Sequence, residues 1–302
     1  MNTSPIKAYV FIILSMIIWG FSFVWSKSLL QVLSPLALLS SRYLLAAFFS
    51  IFFLLINKKN FKIRWKHIPL FLILVLFEPF IYSVCEIYGI KFTSSGIAAI
   101  IISTIPITIA IANFFYLKEK LTPVNLLGIL ISFLGIGVVI IDKSFGLYAS
   151  YIGVLFLVGS VLAATISGFI LKKLTENYTI PTIIAYQNIL SALLFTPFAI
   201  YYFSEITTVH FSAGNIFSLF SLAILASIVA FSLYTYGIMQ IGLTKTMVFT
   251  NLIPIFTVIV AYFYFKEIVT IQKGIGMMIV IMGLFLSQRK GRNREKFPKF
   301  GS

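Results

Sequence analysis

Arg42, Glu78 and Glu86 each lie inside a long apolar run. A charge at mid-bilayer costs about 2.5–3.5 kcal/mol on insertion scales, so each must face protein or water. Counting about 1.5 Å per residue from the nearest run end puts Arg42 about 10 Å deep and Glu78 about 15 Å deep, with Glu86 in the outermost turn. Arg42 thus lies at a depth between the two acids, on the adjoining run. An Arg42–Glu78 pair fits two readings. One is a structural ion pair locking two helices. The other is a substrate or proton site, because a carboxylate in an apolar setting can take up and release a proton. Pro79 follows Glu78, removes a helical hydrogen bond and frees a carbonyl inside the membrane. An acid beside a broken helix is the strongest local pointer in the chain. Glu86 carries less, since a glutamate at a helix end is ordinarily solvated.

Pro106 and Pro254 sit mid-run and should bend their helices. Ser103 and Thr104 lie beside the first, Thr250 and Asn251 beside the second. Asn251 is the costlier to bury unpaired and the better cavity candidate, with interhelical hydrogen bonding as the alternative. Trp19, Tyr82, Tyr186, Gln187, Asn188, Tyr234 and Tyr236 could also line a cavity, although with 32 Phe most aromatic residues must be plain packing. The candidate substrate-binding set is Glu78, Arg42, Tyr82, Asn251, Trp19 and Tyr234. No catalytic or metal-binding set is expected: His67 and His210 are far apart, Cys85 is alone, and there is no phosphate-binding glycine loop. No cofactor is implied. An ATP-driven pump would need a separate subunit.

The elements that must position these residues follow from composition. Of 302 residues, 60% are hydrophobic and 10% charged, with mean hydropathy +1.05. The solvent for most of such a chain is lipid. The formal charge of +15 could suggest nucleic acid, but apart from Arg42 the Lys and Arg residues are confined to short gaps between apolar runs, to the run ends and to the tail, which excludes that reading. A bilayer core about 30 Å thick needs about 20 residues of helix. Ten runs meet it, near 8–26, 35–56, 67–88, 94–116, 124–141, 151–171, 180–203, 215–239, 245–265 and 270–287. In lipid every backbone amide needs an internal partner, so the runs are helices. The first lacks a small-x-small cleavage site and reads as a membrane helix, not a removed signal. Placing the N-terminus inside gives the cytoplasmic face Lys58, Lys59, Lys62, Arg64, Lys66 and the basic tail from Arg289, and puts both termini in the cytoplasm.

One stretch occurs twice. Tyr88-Gly89-Ile90, Ile105-Pro106-Ile107, Phe115-Tyr116, Lys118-Glu119, Thr122, Gly128 and Gly135 return 148 residues later as Tyr236-Gly237-Ile238, Ile253-Pro254-Ile255, Phe263-Tyr264, Lys266-Glu267, Thr270, Gly276 and Gly283. Shared Pro, Gly, Lys and Glu at one fixed offset mark an internal duplication. The expected units are 1–146, 147–290 and a basic tail, 291–302. Five helices per half is an odd number, so the second copy enters the membrane from the opposite side. Such inverted repeats favour a transporter over an inert scaffold. Gly128 and Gly135, like Gly276 and Gly283, are seven residues apart on one helix face, which reads as a close-packed scaffold pair.

The segment Gly89-Ile-Lys-Phe-Thr-Ser-Ser-Gly-Ile-Ala-Ala-Ile, then Ile105-Pro106, Lys118-Glu119-Lys120-Leu121-Thr122-Pro123, Gly128 and Gly135 resembles the drug/metabolite transporter superfamily, EamA type. Phe92 stands where tyrosine is common and Lys118 where glycine is common. The resemblance spans essentially the full length. It implies an all-α integral membrane protein of ten transmembrane helices in two inverted-topology five-helix repeats, with a central cavity between the halves. It further implies movement of small metabolites. The expectation is therefore a secondary transporter of the cytoplasmic membrane, working by alternating access on an amino acid or related amphipathic compound, with export the favoured direction. Its partners are a small-molecule substrate and the bilayer; a homodimer stays open. The competing reading is an intramembrane lipid-modifying enzyme. Two histidines, one aspartate (Asp142) and one intramembrane arginine are poor material for that.

Overall fold

The computed structural model describes residues 5–56, 62–117, 122–140, 150–266 and 270–287. Expectations resting on Lys58, Lys59, Lys118, Glu119, Asp142, Lys143, Glu267 and the 291–302 tail lie outside the described residues. Within them the chain is all helix, without a β-strand. Eight helical runs are long and apolar enough to cross a membrane: Ile6–Leu29, Pro35–Ile56, Trp65–Phe92, Ser95–Phe115, Tyr151–Thr175, Ile180–Tyr201, Ala213–Ile241 and Leu243–Phe265. Two further expected spans appear as shorter apolar helices, Pro123–Val139 and Gly274–Ser287.

Four of these rods are interrupted, and the interruptions shape the centre. Helices α1 (Pro5–Leu29) and α2 (Pro35–Ile56) run unbroken. The third rod comprises α3 (Ile68–Val75), a π-helical turn at Leu76–Ile81 and α4 (Tyr82–Phe92). Glu78 departs from helical geometry there, at φ −145° and ψ 113°, because Pro79 has no N–H and disfavours the α conformation in the residue before it. The fourth rod is α5 (Ser95–Ile102) and α6 (Ile105–Leu117), parted at Ser103 and Thr104. Pro106 is the second residue of α6, a first-turn position where its missing N–H costs nothing. Beyond it lie α7 (Pro123–Ile140), α8 (Tyr151–Thr175), α9 (Ile180–Tyr201) and a short α10 (Phe203–Thr208).

The eighth rod repeats the break of the third: α11 (Ala213–Phe220), a π-helical stretch at Ser221–Ala230, then α12 (Phe231–Ile241). At the repeat offset of 148, Glu78 and Pro79 correspond to Ala226 and Ser227. The ninth rod is α13 (Leu243–Met247), a 3-10 turn at Val248–Leu252 and α14 (Ile253–Phe265), with Pro254 in the first turn of α14. Both prolines thus divide their rods by starting a second segment, where a bend within one continuous helix was expected. The last helix is α15 (Ile271–Ser287).

Helices α7 and α15 form the most intimate pair. A methyl group on Gly135 would stand 2.7 Å from the Val280 nitrogen and one on Gly276 would stand 3.0 Å from the Gly135 oxygen. Gly283 and Gly128 face each other in the same way, so the helices cross antiparallel with backbone on backbone. Polar pins hold the seam: Asn125 Nδ2 donates to the Ser287 carbonyl at 2.8 Å, Ser132 Oγ to Val280 at 3.1 Å and Gln272 Nε2 to Val138 at 2.9 Å. Where lipid supplies no hydrophobic drive, dispersion across small residues and such bonds hold helices together.

Candidate functional site

The third rod delivers its acids along one side. Tyr82 and Glu86 share a face of α4 at four-residue spacing, close to the 3.6-residue helical turn, and the break sets Glu78 on the same cavity. Opposite them, α1 brings Trp19 and α12 brings Phe231 and Tyr234. The Trp19 ring lies 5.0 Å from each of these two rings. Together these residues wall a cavity of about 50 Å³. Its lining also includes Ser22 and Phe23 of α1, Arg42 and Tyr43 of α2, Ser83 of α4, Ile102 and Ile105, Ala164 of α8, and Met247, Thr250 and Ile253 of the ninth rod. Both halves of the chain supply walls. Among the described residues a second, larger space of about 360 Å³ lies between α2, α9 and the eighth rod. It is almost wholly apolar and is edged by exposed Phe52 and Ile56.

Every charge in the central cavity has a polar neighbour. Ser167 of α8 donates its hydroxyl to the Glu78 carboxylate. The carbonyl of Glu78, freed by the break, accepts from Gln187 Nε2 at 3.1 Å. Tyr82 Oη donates to Glu86 Oε1 at 2.9 Å. Arg42 Nε donates to Ser227 Oγ at 2.9 Å, and its guanidinium carbon lies 5.1 Å from the centroid of the Tyr43 ring, a cation–π distance. Tyr43 Oη shares a 2.6 Å hydrogen bond with Ser83 Oγ and its ring stacks on Phe195. Tyr234 Oη donates to Met247 Sδ at 2.8 Å, and Trp19 Nε1 to the Ala226 carbonyl at 3.3 Å.

The structure brings five of the six expected residues, Glu78, Arg42, Tyr82, Trp19 and Tyr234, to this one cavity. Asn251 is buried but outside the lining, with neither amide atom hydrogen-bonded among the described residues; its neighbour Thr250 faces the cavity instead. The direct Arg42–Glu78 ion pair is not formed. The broken turn carries the Glu78 carboxylate to Ser167, and Arg42 is seated on Ser227 instead. Glu86 is also not a solvated end residue: the rod continues to Phe92, and Glu86 is buried. Its four-residue spacing from Tyr82 was the signal that could have placed it. Gln187 and Asn188 do not reach the cavity wall. Among the described residues no cluster of His, Cys, Asp or Glu could hold a metal ion.

A bundle of membrane-crossing helices with a charged, aromatic-walled cavity shared by its two halves is the build of a multi-pass membrane transporter. The model of the EamA-like transporter family matches residues 6–141 and again 151–288. The chain belongs to that family. It is 27% identical over 284 residues to an uncharacterized transporter of Archaeoglobus fulgidus, covering 94% of this chain and 99% of that one. The uncharacterized transporter YetK of Bacillus subtilis is 24% identical over 298 residues, covering 96% and 89%. A probable amino-acid metabolite efflux pump of Escherichia coli is 24% identical over 294 residues, covering 93% and 94%. A solved crystal structure superposes with a TM-score of 0.70 at 14% identity, covering 94% of this chain and 97% of that chain, which is a likeness of fold.

Proposed function

We propose that this chain is an alternating-access secondary transporter of the cytoplasmic membrane that exports a small amphipathic metabolite, an amino acid or a close relative of one. The observation that carries the reading is the central cavity. It presents one guanidinium and two carboxylates within aromatic walls, a set that suits a compound with its own carboxylate, amine and apolar body. The name of the Escherichia coli relative supports the same substrate class. Ten spans in two inverted five-helix repeats complete the proposal, with both termini cytoplasmic. The antiparallel meeting of Gly128 with Gly283 and Gly135 with Gly276 supports inversion, because an in-plane twofold axis crosses repeat mates in this way. So does the exchange in which α1 touches the second-half break through Trp19 and α8 touches the first-half break through Ser167.

The test is flux in proteoliposomes loaded with a panel of radiolabelled amino acids and their amphipathic derivatives. At least one compound should show saturable exchange, and Arg42→Gln should weaken it. A purified protein that exchanges nothing on the panel, or that chemically converts a lipid, would overturn the proposal.

A further inference from the structure

We propose that Gln187 and Asn188, adjacent residues of α9, are positioning residues that set the acid and the base of the cavity from behind its wall. Among the described residues, α9 contributes no side chain to the lining, yet it touches both rods that carry a π-helical break. Gln187 Nε2 donates to the carbonyl of Glu78 at 3.1 Å, inside the break of the third rod. Asn188 Nδ2 donates to the carbonyl of Ser227 at 3.4 Å, inside the break of the eighth, and to Ser50 Oγ of α2 at 3.2 Å. Ser227 in turn receives Arg42 Nε on its hydroxyl. One amide therefore holds the main chain of the acid. The next holds the main chain of the residue that seats the base.

The physical reason is the membrane. A π turn or a proline break releases main-chain carbonyls that find no water in a bilayer, so a neighbouring helix must supply donors. Successive residues on an α-helix point about 100° apart, which lets one turn of α9 serve two rods. Both side chains are buried, 5% and 3% exposed. Gln187 leaves its own Oε1 without a hydrogen-bond partner while its Nε2 serves Glu78. That is the arrangement expected where the donor is what the site needs. Sequence reading placed Gln187 and Asn188 among possible wall residues; the contacts give them a different task.

The inference builds on the cavity as the transport site, but its test needs no substrate. Gln187→Met and Asn188→Leu keep shape and remove the donor; Gln187→Ala and Asn188→Ala serve where either fails to fold. Purified variants are treated separately with dicyclohexylcarbodiimide, which modifies carboxyl groups, and phenylglyoxal, which modifies guanidinium groups. The rates at Glu78 and Arg42 are read by peptide mass spectrometry. Gln187→Met should raise labelling of Glu78 about fivefold, the equivalent of one net hydrogen bond of roughly 1 kcal/mol, and leave Arg42 unchanged. Asn188→Leu should raise labelling of Arg42 by a similar factor and leave Glu78 unchanged. Equal increases at both sites in both variants would mean general loosening, and no change at either would mean the amides only pack; both results overturn the proposal. Failed transport with the crossed labelling pattern intact would sink the transport reading alone.

Discussion

A single methyl group on Gly283 tests whether α7 and α15 form the rigid frame of the molecule. Its carbon would lie 2.5 Å from the Ser132 nitrogen and 2.7 Å from the Gly128 oxygen. Two of its three nearest neighbours are main-chain atoms of the opposing helix, so relief requires the helices to part. Overpacking of this kind costs about 1–3 kcal/mol, with the upper end expected against backbone. Replacing a helical glycine by alanine gains about 0.5–1 kcal/mol of conformational entropy, so Gly283→Ala should lose about 1–2 kcal/mol net. Gly135→Ala, 2.7 Å from the Val280 nitrogen, should behave alike. The same helices carry their own controls: an added carbon on Gly137 of α7 or Gly274 of α15 meets nothing within 4 Å. There the entropy gain stands alone, and both alanine variants should melt above the wild type. The assay is a thermal melt in detergent followed by size-exclusion recovery. Gly135→Leu and Gly283→Leu should fail to yield folded protein at all. Gly283→Ala melting at or above Gly137→Ala would refute the close-packed frame, as would normal yield of the leucine variants with altered selectivity.

Glu78→Gln should reach the membrane and retain exchange but lose accumulation driven by a pH gradient; unchanged gradient-driven flux in proteoliposomes would leave Glu78 a structural residue. Because Arg42 is seated on Ser227 rather than on Glu78, adding Arg42→Gln to Glu78→Gln should restore no stability in a melt, whereas recovery would reveal a direct pair. Asn251→Leu should be neutral or stabilising by about 1–3 kcal/mol, since it removes two buried amide atoms without partners; a marked loss of stability would show that the amide is satisfied in the membrane. With Cys85 replaced, cysteines at Lys62 and Arg292 should resist an impermeant thiol reagent outside intact cells and one at Ser212 should react, with the reverse pattern overturning the orientation.

Much of the architecture was legible because membrane sequences obey few rules and obey them visibly. Lipid tolerates only satisfied backbone, so run length alone marked the helical rods. Proline lacks an N–H whatever surrounds it, so Glu78-Pro79, Pro106 and Pro254 announced three of the interruptions. Glycines spaced by seven foretold the α7–α15 seam, because close approach depends on the missing side chain itself. The fourth break, at Ser221–Ala230, contains no proline or glycine and left no such mark. Partners were a different matter. Which donor meets a freed carbonyl depends on how two rods cross, and the crossing joins residues far apart in sequence: Ser167 to Glu78, Gln187 to the same residue's main chain, Arg42 to Ser227. Sequence depth suggested an Arg42–Glu78 pair because both lie deep on neighbouring runs. The tertiary structure separated them, since the break at Pro79 turns the acid toward α8 and leaves the base to the eighth rod. Residue type and spacing could say that these charges needed company, but only the packing of the helices decided whose.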